Sequence, residues 1–339
     1  TKIFFYLYMR KLYFILIALL ILTITVQIVD FIELTRNNLN REGFSFKDIL
    51  KMSFLKTPFL INEITPFIII ISTSFFFKTL IDNNELISMR NVGLSILNIF
   101  YPVGLAIFTL GILSLLILNP ISSIFMNYYN QIDNKASNTS NIIKLDDGNI
   151  WIKNKFNNRI LYINAKNMNM QEMKMEEIMI IDNAINNSKI YFSSEGELKE
   201  KNLSLNNVEE IIIEKNITKT YDKKDISINF TQQDILNSVK YYKYTPFFNY
   251  WSYSNSMKKL SYLSTDIVLY FFSELFKPFL LLSIGYVVSG FVAKFKRNYS
   301  FFKTIFISVI IGFIIFLIDK LIYSMDTSGI FSYVIIILT

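Results

Sequence analysis

Long apolar runs separated by polar segments dominate the pattern along this chain. A helix needs about 20 mostly apolar residues to span a hydrocarbon core of about 30 Å. The runs that meet this requirement are 12–29, 58–77, 96–118, 266–293 and 301–318, and a further run begins near Ile330. We therefore expect six transmembrane helices, three on each side of a long polar stretch. Because the chain begins at Thr1 and stops inside the last run, we also expect a piece of a longer protein with a truncated sixth helix.

The long polar stretch has a different pattern, with a period of two residues. Short segments alternate apolar and polar positions and are separated by Asn, Gly and Asp, which is typical of a sandwich or a jelly roll. These segments are 149–153, 159–166, 176–182, 189–198 and 208–214. The predicted fold class is an α-helical polytopic membrane protein, with six transmembrane helices arranged three plus three and an inserted all-β, jelly-roll-like domain. The expected domains are 1–119, 120–262 and 263–339.

A short polar island, DNNELISMRNVGLS at 82–95, separates the second apolar run from the third. Asp82 or Asn83 can cap a helix there, and Glu85 in its first turn suits the positive end of the helix dipole. Gly93 suits the position that follows a helix C-terminus. The island therefore predicts a short, capped helix.

Within this helix, at about 82–93, the side chains of Leu86, Met89 and Arg90 fall on neighbouring turns and form a small surface with apolar and charged parts. Two interpretations are open: an ordinary interfacial loop, or a helix that docks a partner. A two-residue turn would be enough to join two spans, so the helical design favours docking.

Composition supports a membrane protein and excludes several other classes. Hydrophobic residues make up 52% of the 339 residues. The net charge of +7 is spread along the chain: 120–262 holds 18 Lys and Arg against 16 Asp and Glu, which leaves 16 against 11 around the apolar runs. That distribution is typical of membrane flanks, so we reject nucleic acid as a partner. Since the chain has no Cys and no His, thiolate metal sites and His-based catalysis are excluded.

Basic residues in the flanks set the expected orientation. Lys2, Arg10 and Lys11 precede the first run, and 294–303 carries four basic residues between the fourth and fifth. Alternation of the spans puts both segments and the island on one side, which we take as cytoplasmic. The loop 30–57 carries five basic residues and would lie outside, so charge alone does not fix the orientation.

The island resembles the cytoplasmic signature of the LptF/LptG permeases, and further motifs extend the resemblance over most of the chain. They are VDFIEL at 29–34, PF at 66–67, LNP at 118–120, GNIWIK at 148–153, FKPFLLL at 276–282 and GFIIFLIDK at 312–320. The arrangement of three spans, a domain and three spans is also that of the family. Of its two subunits, the chain resembles LptG more closely, on the VD motif and the stretch around Asp319.

This resemblance implies a permease subunit of an ABC transporter that extracts lipopolysaccharide from the bacterial inner membrane. It implies a heterodimer with the paired permease, a cytoplasmic ATPase dimer, a single-span jelly-roll protein and a periplasmic bridge to the outer membrane. The inserted domain is then periplasmic. The island becomes the ATPase-coupling helix, in which Glu85 matches the characteristic acid of the family. The implied coupling residues are Glu85, Leu86, Met89, Arg90 and Gly93.

The phosphate-cradling sequence G-x-x-x-x-G-K-[S/T] does not occur in the chain. Energy for transport must therefore come from a separate subunit. We expect the chain to bind no cofactor and not to be an enzyme by itself, while the partner ATPase uses ATP and magnesium.

Charged residues inside or at the rims of the predicted spans gather toward the outer side. A charge at bilayer depth costs about 2.5–3.5 kcal/mol on insertion scales, so such residues usually face a cavity or a partner. Snorkelling at the interface is the alternative for each residue singly, but their common placement favours a vestibule open to the outer leaflet. The residues are Asp30, Glu33, Glu63, Asp266, Glu274, Lys277, Asp319 and Lys320.

At the rim of this vestibule we expect Arg36, Arg41 and Lys277 to bind the phosphates of the substrate, with Glu63 and Glu274 beside them. Arginine suits this role because its planar guanidinium binds phosphate oxygens in pairs.

Two other functions compete with transport. One is a membrane-embedded enzyme of envelope lipid metabolism, in which Glu63, Asp266 and Glu274 hold a metal at the outer face. The other is an assembly or adhesion scaffold that displays the β domain. Co-purification with an ATPase would favour the transporter, and activity of the lone protein toward a lipid would favour the enzyme.

Overall fold

The computed structural model describes most of the chain in two compact units. One unit contains the described residues up to Ile132 and from Leu269 onward, and the other lies within Asp133–Val268. The described residues are 2–38, 45–136, 150–156, 159–169, 172–183, 188–213, 217–238, 240–262, 265–294, 300, 302–303, 306–307, 309–311, 313–314 and 317.

Helices build the first unit and accompany the strands of the second. They are α1 (Lys2–Asn38), α2 (Phe46–Asp82), α3 (Glu85–Asn91), α4 (Ile96–Leu113), α5 (Asn119–Ala136), α6 (Gln232–Ser238), α7 (Tyr250–Lys259) and α8 (Thr265–Val292). A π-helical turn, Ser114–Leu118, joins α4 to α5, and two 3-10 turns occupy Tyr242–Tyr244 and Phe247–Asn249.

Four helical stretches are long and apolar enough to cross a membrane, which confirms the first four predicted spans. They are Lys2–Asn38, Phe46–Asp82, Ile96–Asp133 and Ile267–Val292. Each of the first three extends well beyond its apolar run. Of the fifth predicted span, 301–318, the structure describes only separate positions, and those are helical. The sixth lies outside the described residues.

Helix α2 is the centre of the helical unit, because 72% of its most apolar stretch is buried against 11% for α1. Serine, proline and small polar residues lie among the large apolar ones, yet α2 continues through Pro58 and Pro66. One core cluster joins four helices and the island. Its members include Leu7, Ile15, Phe76, Leu80, Leu86, Val103, Ile284 and Val292. The N-terminal end of α1, the helix α3 and the C-terminal end of α8 therefore lie at the same end of this unit.

Helices α4 and α8 touch through a glycine. A Cβ atom at Gly111 would lie 2.6 Å from the Cα atom of Pro278, so only glycine permits this approach. Gly285 is also crowded, although its nearest neighbour is the end of the flexible Ile107 side chain. At Gly290 a Cβ atom would meet nothing within 4 Å.

Six antiparallel strands form one sheet in the second unit, in the order of the sequence. They are β1 (Ile150–Phe156), β2 (Arg159–Asn169), β3 (Lys174–Asn183), β4 (Lys189–Lys199), β5 (Asn202–Ile212) and β6 (Ile217–Ser227). The prediction of an inserted all-β domain is confirmed. The strand order requires one correction: each described strand pairs with its neighbour in sequence, as in a meander, without the crossing connections of a jelly roll. The unit also begins later than residue 120, because α5 continues the preceding span to Ala136.

One face of this sheet is a closed hydrophobic core. The alternating residues of β2 to β5 are buried, as the period-two pattern predicts. Phe230, Ile235 and Leu260 from the segments that follow β6 belong to the same core cluster. The inner face of the described sheet is therefore packed as a hydrophobic core. The edge strands of the described sheet are β1 and β6.

Candidate functional site

The polar island forms the helix α3, but its N-terminus differs from the prediction. Asn84 occupies the N-cap position in the left-handed conformation (φ 59°) and its side chain does not cap the helix. Neither predicted cap residue performs that role. The carboxylate of Asp82 accepts from Lys78 Nζ at 2.6 Å, one turn back in α2, and Asn83 Nδ2 donates to Glu85 Oε1 at 3.1 Å.

The C-terminus of α3 is as predicted from its glycine. Gly93 has φ +91°, which favours glycine. Its amide donates to the carbonyl of Arg90 at 2.9 Å, and the amide of Leu94 donates to that of Met89 at 3.1 Å. These two bonds form a Schellman motif, so α3 ends after two turns and the chain turns directly into α4.

Helix α3 has one anchored face and one exposed face. Leu86 is buried in the core of the helical unit, and Met89 packs against the same cluster. Arg90 is exposed, as are Ile87 at 51% and Val92 at 80%. The structure therefore separates the predicted coupling residues into buried anchors and outward side chains.

Glu85 lies between the two faces, because its side chain is 27% exposed and its carboxylate accepts hydrogen bonds from neighbouring side chains. Oε2 accepts from Tyr6 Oη at 3.1 Å and from the guanidinium of Arg10, while Oε1 accepts from Asn83. Burial alone would raise the pKa of Glu85, but the hydrogen bonds from Arg10, Asn83 and Tyr6 outweigh it and lower this pKa. Glu85 is thus a carboxylate bonded to α1, a contact between residues 75 positions apart that the sequence pattern does not reveal.

The lysine that follows Arg10 is fully buried. Lys11 Nζ donates to Ser72 Oγ at 2.9 Å and to Thr73 Oγ1 at 2.8 Å, both on α2. The interpretation of Lys11 as a flanking charge was wrong, because α1 begins at Lys2 and the side chain of Lys11 lies inside the helical bundle.

A second group of buried polar side chains joins α2, α5 and α8 around the π-helical turn. Lys277 Nζ donates to Asn62 Oδ1 at 2.8 Å and lies 3.3 Å from Glu274 Oε1. Ser114 Oγ also donates to Asn62 Oδ1, at 2.8 Å, and Asn119 Nδ2 donates to Glu274 Oε2 at 3.4 Å. Glu274 and Lys277 are therefore brought together, as their spacing of three residues predicts. The amides and the serine hydroxyl that complete the cluster could not be predicted from spacing.

The other predicted rim residues do not join this cluster. Arg36 is exposed in the last turn of α1, and Glu63 is exposed on α2. Asp30 is buried and forms an ion pair with Lys56 between α1 and α2. Glu33 is exposed on α1. Four predicted positions fall outside what the structure describes: Arg41, Asp319, Lys320 and the side chain of Asp266.

Of the predicted carboxylates of an outer-face enzyme, the structure describes those of Glu63 and Glu274, and their surroundings differ. Glu63 is exposed, whereas Glu274 is buried and paired with Lys277. Across the described part of the chain, no three acidic side chains lie close enough together to hold a metal ion. The geometry gives no support to metal-assisted lipid chemistry at these carboxylates.

Comparison with known proteins identifies the family. No curated protein matches the chain. The sequence model of the family described as lipopolysaccharide export system permease LptF/LptG matches residues 5–339. The match therefore includes the membrane helices, the island and the inserted β domain. The chain belongs to the LptF/LptG family, the permeases of the lipopolysaccharide export transporter.

Proposed function

We propose that the protein works in the bacterial inner membrane as one of two paired permeases, and that α3 receives the motion of a cytoplasmic ATPase dimer. The observation that carries this proposal is the construction of α3. A connection between two spans needs no helix with one face anchored in the core and the other exposed. A helix that transmits force needs one face anchored in the core of the permease and another face exposed to the partner.

The residues of α3 then have different roles. Leu86 and Met89 hold the helix against the bundle, and Gly93 ends it at a fixed length. Ile87, Arg90 and Val92 offer an exposed surface that combines two apolar side chains with an arginine, a residue enriched at protein interfaces. The partner contact is assigned to this surface, and the nucleotide chemistry, with its ATP and magnesium, to the ATPase.

Substrate contact is assigned first to the arginines near the end of α1. Arg36 is exposed and can bind a lipid phosphate directly, and Arg41 follows it closely in sequence. Lys277 is already hydrogen bonded to Asn62 and paired with Glu274, so it would have to exchange partners to meet a phosphate. If charge reversal of Arg36 and Arg41 left lipopolysaccharide-stimulated ATP hydrolysis unchanged, the assignment to these arginines would fail.

The second unit, which contains the six-stranded sheet and is called the β unit below, is assigned the contact with the single-span jelly-roll protein and the periplasmic bridge. A partner sheet can add to a free edge strand through backbone hydrogen bonds. Strand β6 is rich in Lys and Asp, which discourages pairing, whereas β1 carries Trp151, an exposed aromatic. We assign the contact to β1.

The decisive experiment co-expresses the chain with its paired permease and the ATPase and compares the wild type with Arg90→Glu and Val92→Asp. We expect the wild type to co-purify with the ATPase and both variants to lose most of that association. Lys201→Glu, an exposed charge reversal in the turn between β4 and β5, is the matched control and should keep it. An ATPase that binds both α3 variants as well as the wild type would remove this surface from the contact. Failure of the wild type to bind any ATPase would remove the proposed coupling.

A further inference from the structure

We propose that the aromatic segment, residues 240–253, docks the β unit onto the phospholipid surface at which α8 enters the membrane. This inference goes beyond the proposed function, because it concerns the contact of this chain with lipid and does not depend on coupling to an ATPase.

The aromatic segment combines aromatic rings with positive charge. Eight of its 14 residues are aromatic, against 16% of the whole chain. It carries Lys240 and Lys243, and Lys258 follows in the last turn of α7. The sequence from 235 to 265 contains no Asp or Glu. Trp and Tyr are enriched where a membrane meets water, and Lys is attracted to anionic lipid. Because protein interfaces are depleted in Lys, this combination favours a lipid surface over a protein partner.

The fold divides the rings between the inside and the outside of the β unit. The 3-10 turn Phe247–Asn249 runs directly into α7, and residues three apart in such a stretch share a side. Tyr250 and Tyr253 share the buried side, each with 4% of its surface exposed. Phe248 and Trp251 share the other side and are 63% and 78% exposed. Two large aromatic side chains are therefore left outside the core of this unit.

Further contacts hold a third ring and a cation in the same segment. Tyr253 Oη donates to the carbonyl of Lys240 at 3.1 Å, which brings the start of the segment against α7. Tyr241, the next residue, is 46% exposed. The ammonium of Lys243 lies 6.0 Å from the centre of the Tyr241 ring, in cation–π contact. The exposed rings and the lysine thus belong to one small, hydrogen-bonded piece of the fold.

A hydrogen bond ties the segment to the first residue of the membrane span. Tyr250 Oη donates to the backbone carbonyl of Ile267, where the apolar stretch of α8 begins. Since Trp251 is next to Tyr250 in the chain, it lies close to the level at which α8 enters the hydrocarbon. At that depth an aromatic ring turns its apolar body toward the acyl chains, and a lysine extends its ammonium to the lipid phosphates. The position of the segment therefore agrees with its composition.

The two tryptophans of the chain supply the test and its control. Both are exposed, Trp251 in the aromatic segment and Trp151, at 47%, on β1. Trp151→Phe leaves Trp251 as the single reporter, and Trp251→Phe leaves Trp151. Each full-length variant is reconstituted without partner subunits or lipopolysaccharide in nanodiscs of about three parts phosphatidylethanolamine to one part phosphatidylglycerol. The fluorescence of each is compared with and without bromine atoms on the upper acyl chains, and with and without iodide in the water.

We expect brominated lipid to remove about half of the emission of Trp251, because interfacial apolar groups lie about 5–10 Å into the boundary between headgroups and acyl chains. Trp151 should keep its emission in brominated lipid and lose more of it to iodide than Trp251 does. Adding Lys240→Glu and Lys243→Glu to the Trp151→Phe variant should weaken quenching by brominated lipid, since glutamates repel phosphatidylglycerol.

Two results would overturn the proposal. One is emission of Trp251 that is insensitive to bromine and as accessible to iodide as that of Trp151, which would place the aromatic segment in water. The other is protection of Trp251 from iodide that appears only after the paired permease is added, which would assign the exposed rings to that subunit. Because no ATPase is present, neither result bears on the proposed coupling through α3.

Discussion

The ammonium of Lys11 on α1 lies 2.8 Å from the hydroxyl oxygen of Thr73 on α2, and the lysine side chain is fully buried. Hydroxyl oxygens satisfy its hydrogen bonds but supply no opposite charge. Burying a charge without such a partner is costly, and an apolar group of the same shape often serves stability equally well.

We expect Lys11→Met to keep or raise the thermal midpoint of the protein in detergent, because methionine fills nearly the same volume without a charge. Lys11→Ala should lower the free energy of unfolding by about 2–5 kcal/mol, since it leaves a cavity between α1 and α2. Thermal unfolding followed by far-ultraviolet circular dichroism measures both. If Lys11→Met destabilised the protein as much as Lys11→Ala, the hydrogen bonds rather than the volume would carry the contribution of Lys11.

The contact between α4 and α8 predicts that Gly111→Ala is destabilising by about 1–3 kcal/mol, because the new methyl group overlaps Pro278 backbone and forces the helices apart. Gly290→Ala, also in a membrane helix, is the matched control: it has open space, and alanine is the better helix former. Equal thermal midpoints for the two variants would show that α4 and α8 do not meet at Gly111.

The buried pair of Glu274 and Lys277 predicts an unequal response to removing each partner. After Glu274→Gln, Lys277 still donates to the side chain and the backbone carbonyl of Asn62. After Lys277→Met, the bond from Asn119, at 3.4 Å, is the one remaining side-chain hydrogen bond that the described residues show for the buried carboxylate.

We therefore expect Lys277→Met to cost more, about 3–5 kcal/mol, and the double variant Glu274→Gln/Lys277→Met to cost less than Lys277→Met alone. The thermal midpoints of the four proteins form a double-mutant cycle that gives the coupling between the two residues. A coupling near zero would contradict the pairing.

Glu210 on β5 predicts a pH dependence in the β unit. Burial alone would raise the pKa of Glu210, but hydrogen bonds from Lys189 and Lys224 outweigh it and lower this pKa to about 2. Because the pKa is lower in the folded state than its ordinary value of 4.5, Glu210 stabilises the fold above about pH 4.5. That contribution decreases as the pH falls toward 2.

Glu210→Gln should therefore lower the free energy of unfolding by about 1–3 kcal/mol at pH 7 and make stability less dependent on pH below 4.5. Both tryptophans of the chain, Trp151 and Trp251, lie in this unit, so tryptophan fluorescence follows its unfolding selectively. Glu209→Gln, the neighbouring residue on the exposed face of the strand, is the control. Parallel pH profiles for the wild type and Glu210→Gln would contradict the assignment.

The features that could be predicted from the sequence depend on local signals. The length of an apolar run predicts a spanning helix without reference to any neighbour, and a glycine followed by an apolar residue predicts the end of α3 at Gly93. The predicted caps at the other end of α3 were wrong, because Asp82 accepts from Lys78 and Asn84 occupies the N-cap position in a left-handed conformation. Strand β6 was missed because seven consecutive positions, Ile217 to Lys223, are exposed, so it has no apolar alternation.

The features that could not be predicted from the sequence are contacts between residues that lie far apart in it. Nothing in the spacing of Arg10 and Glu85 indicates that they meet, since the fold of two long helices brings them together. The same holds for Lys11, because its position in the sequence is typical of a membrane flank, and only the fold brings it against the hydroxyl groups of α2. The coupling residues could be named from the island, but their division between anchor and exposed surface required the packing of α3.

The relative directions of Ser114 and Asn119 in the buried polar cluster depend on the number of residues in the π-helical turn between them. Carbonyl groups in such a turn bond five residues ahead instead of four, so Ser114 and Asn119, five apart, point to the same side of the chain. Deleting one outward residue, such as Leu116, would convert the turn to ordinary α-helix with Ser114 and Asn119 four apart, a spacing that also keeps them on one side. An ordinary α-helix of unchanged length would instead put these two residues about 140° apart, so the π-helical turn is what lets five residues separate two members of the cluster.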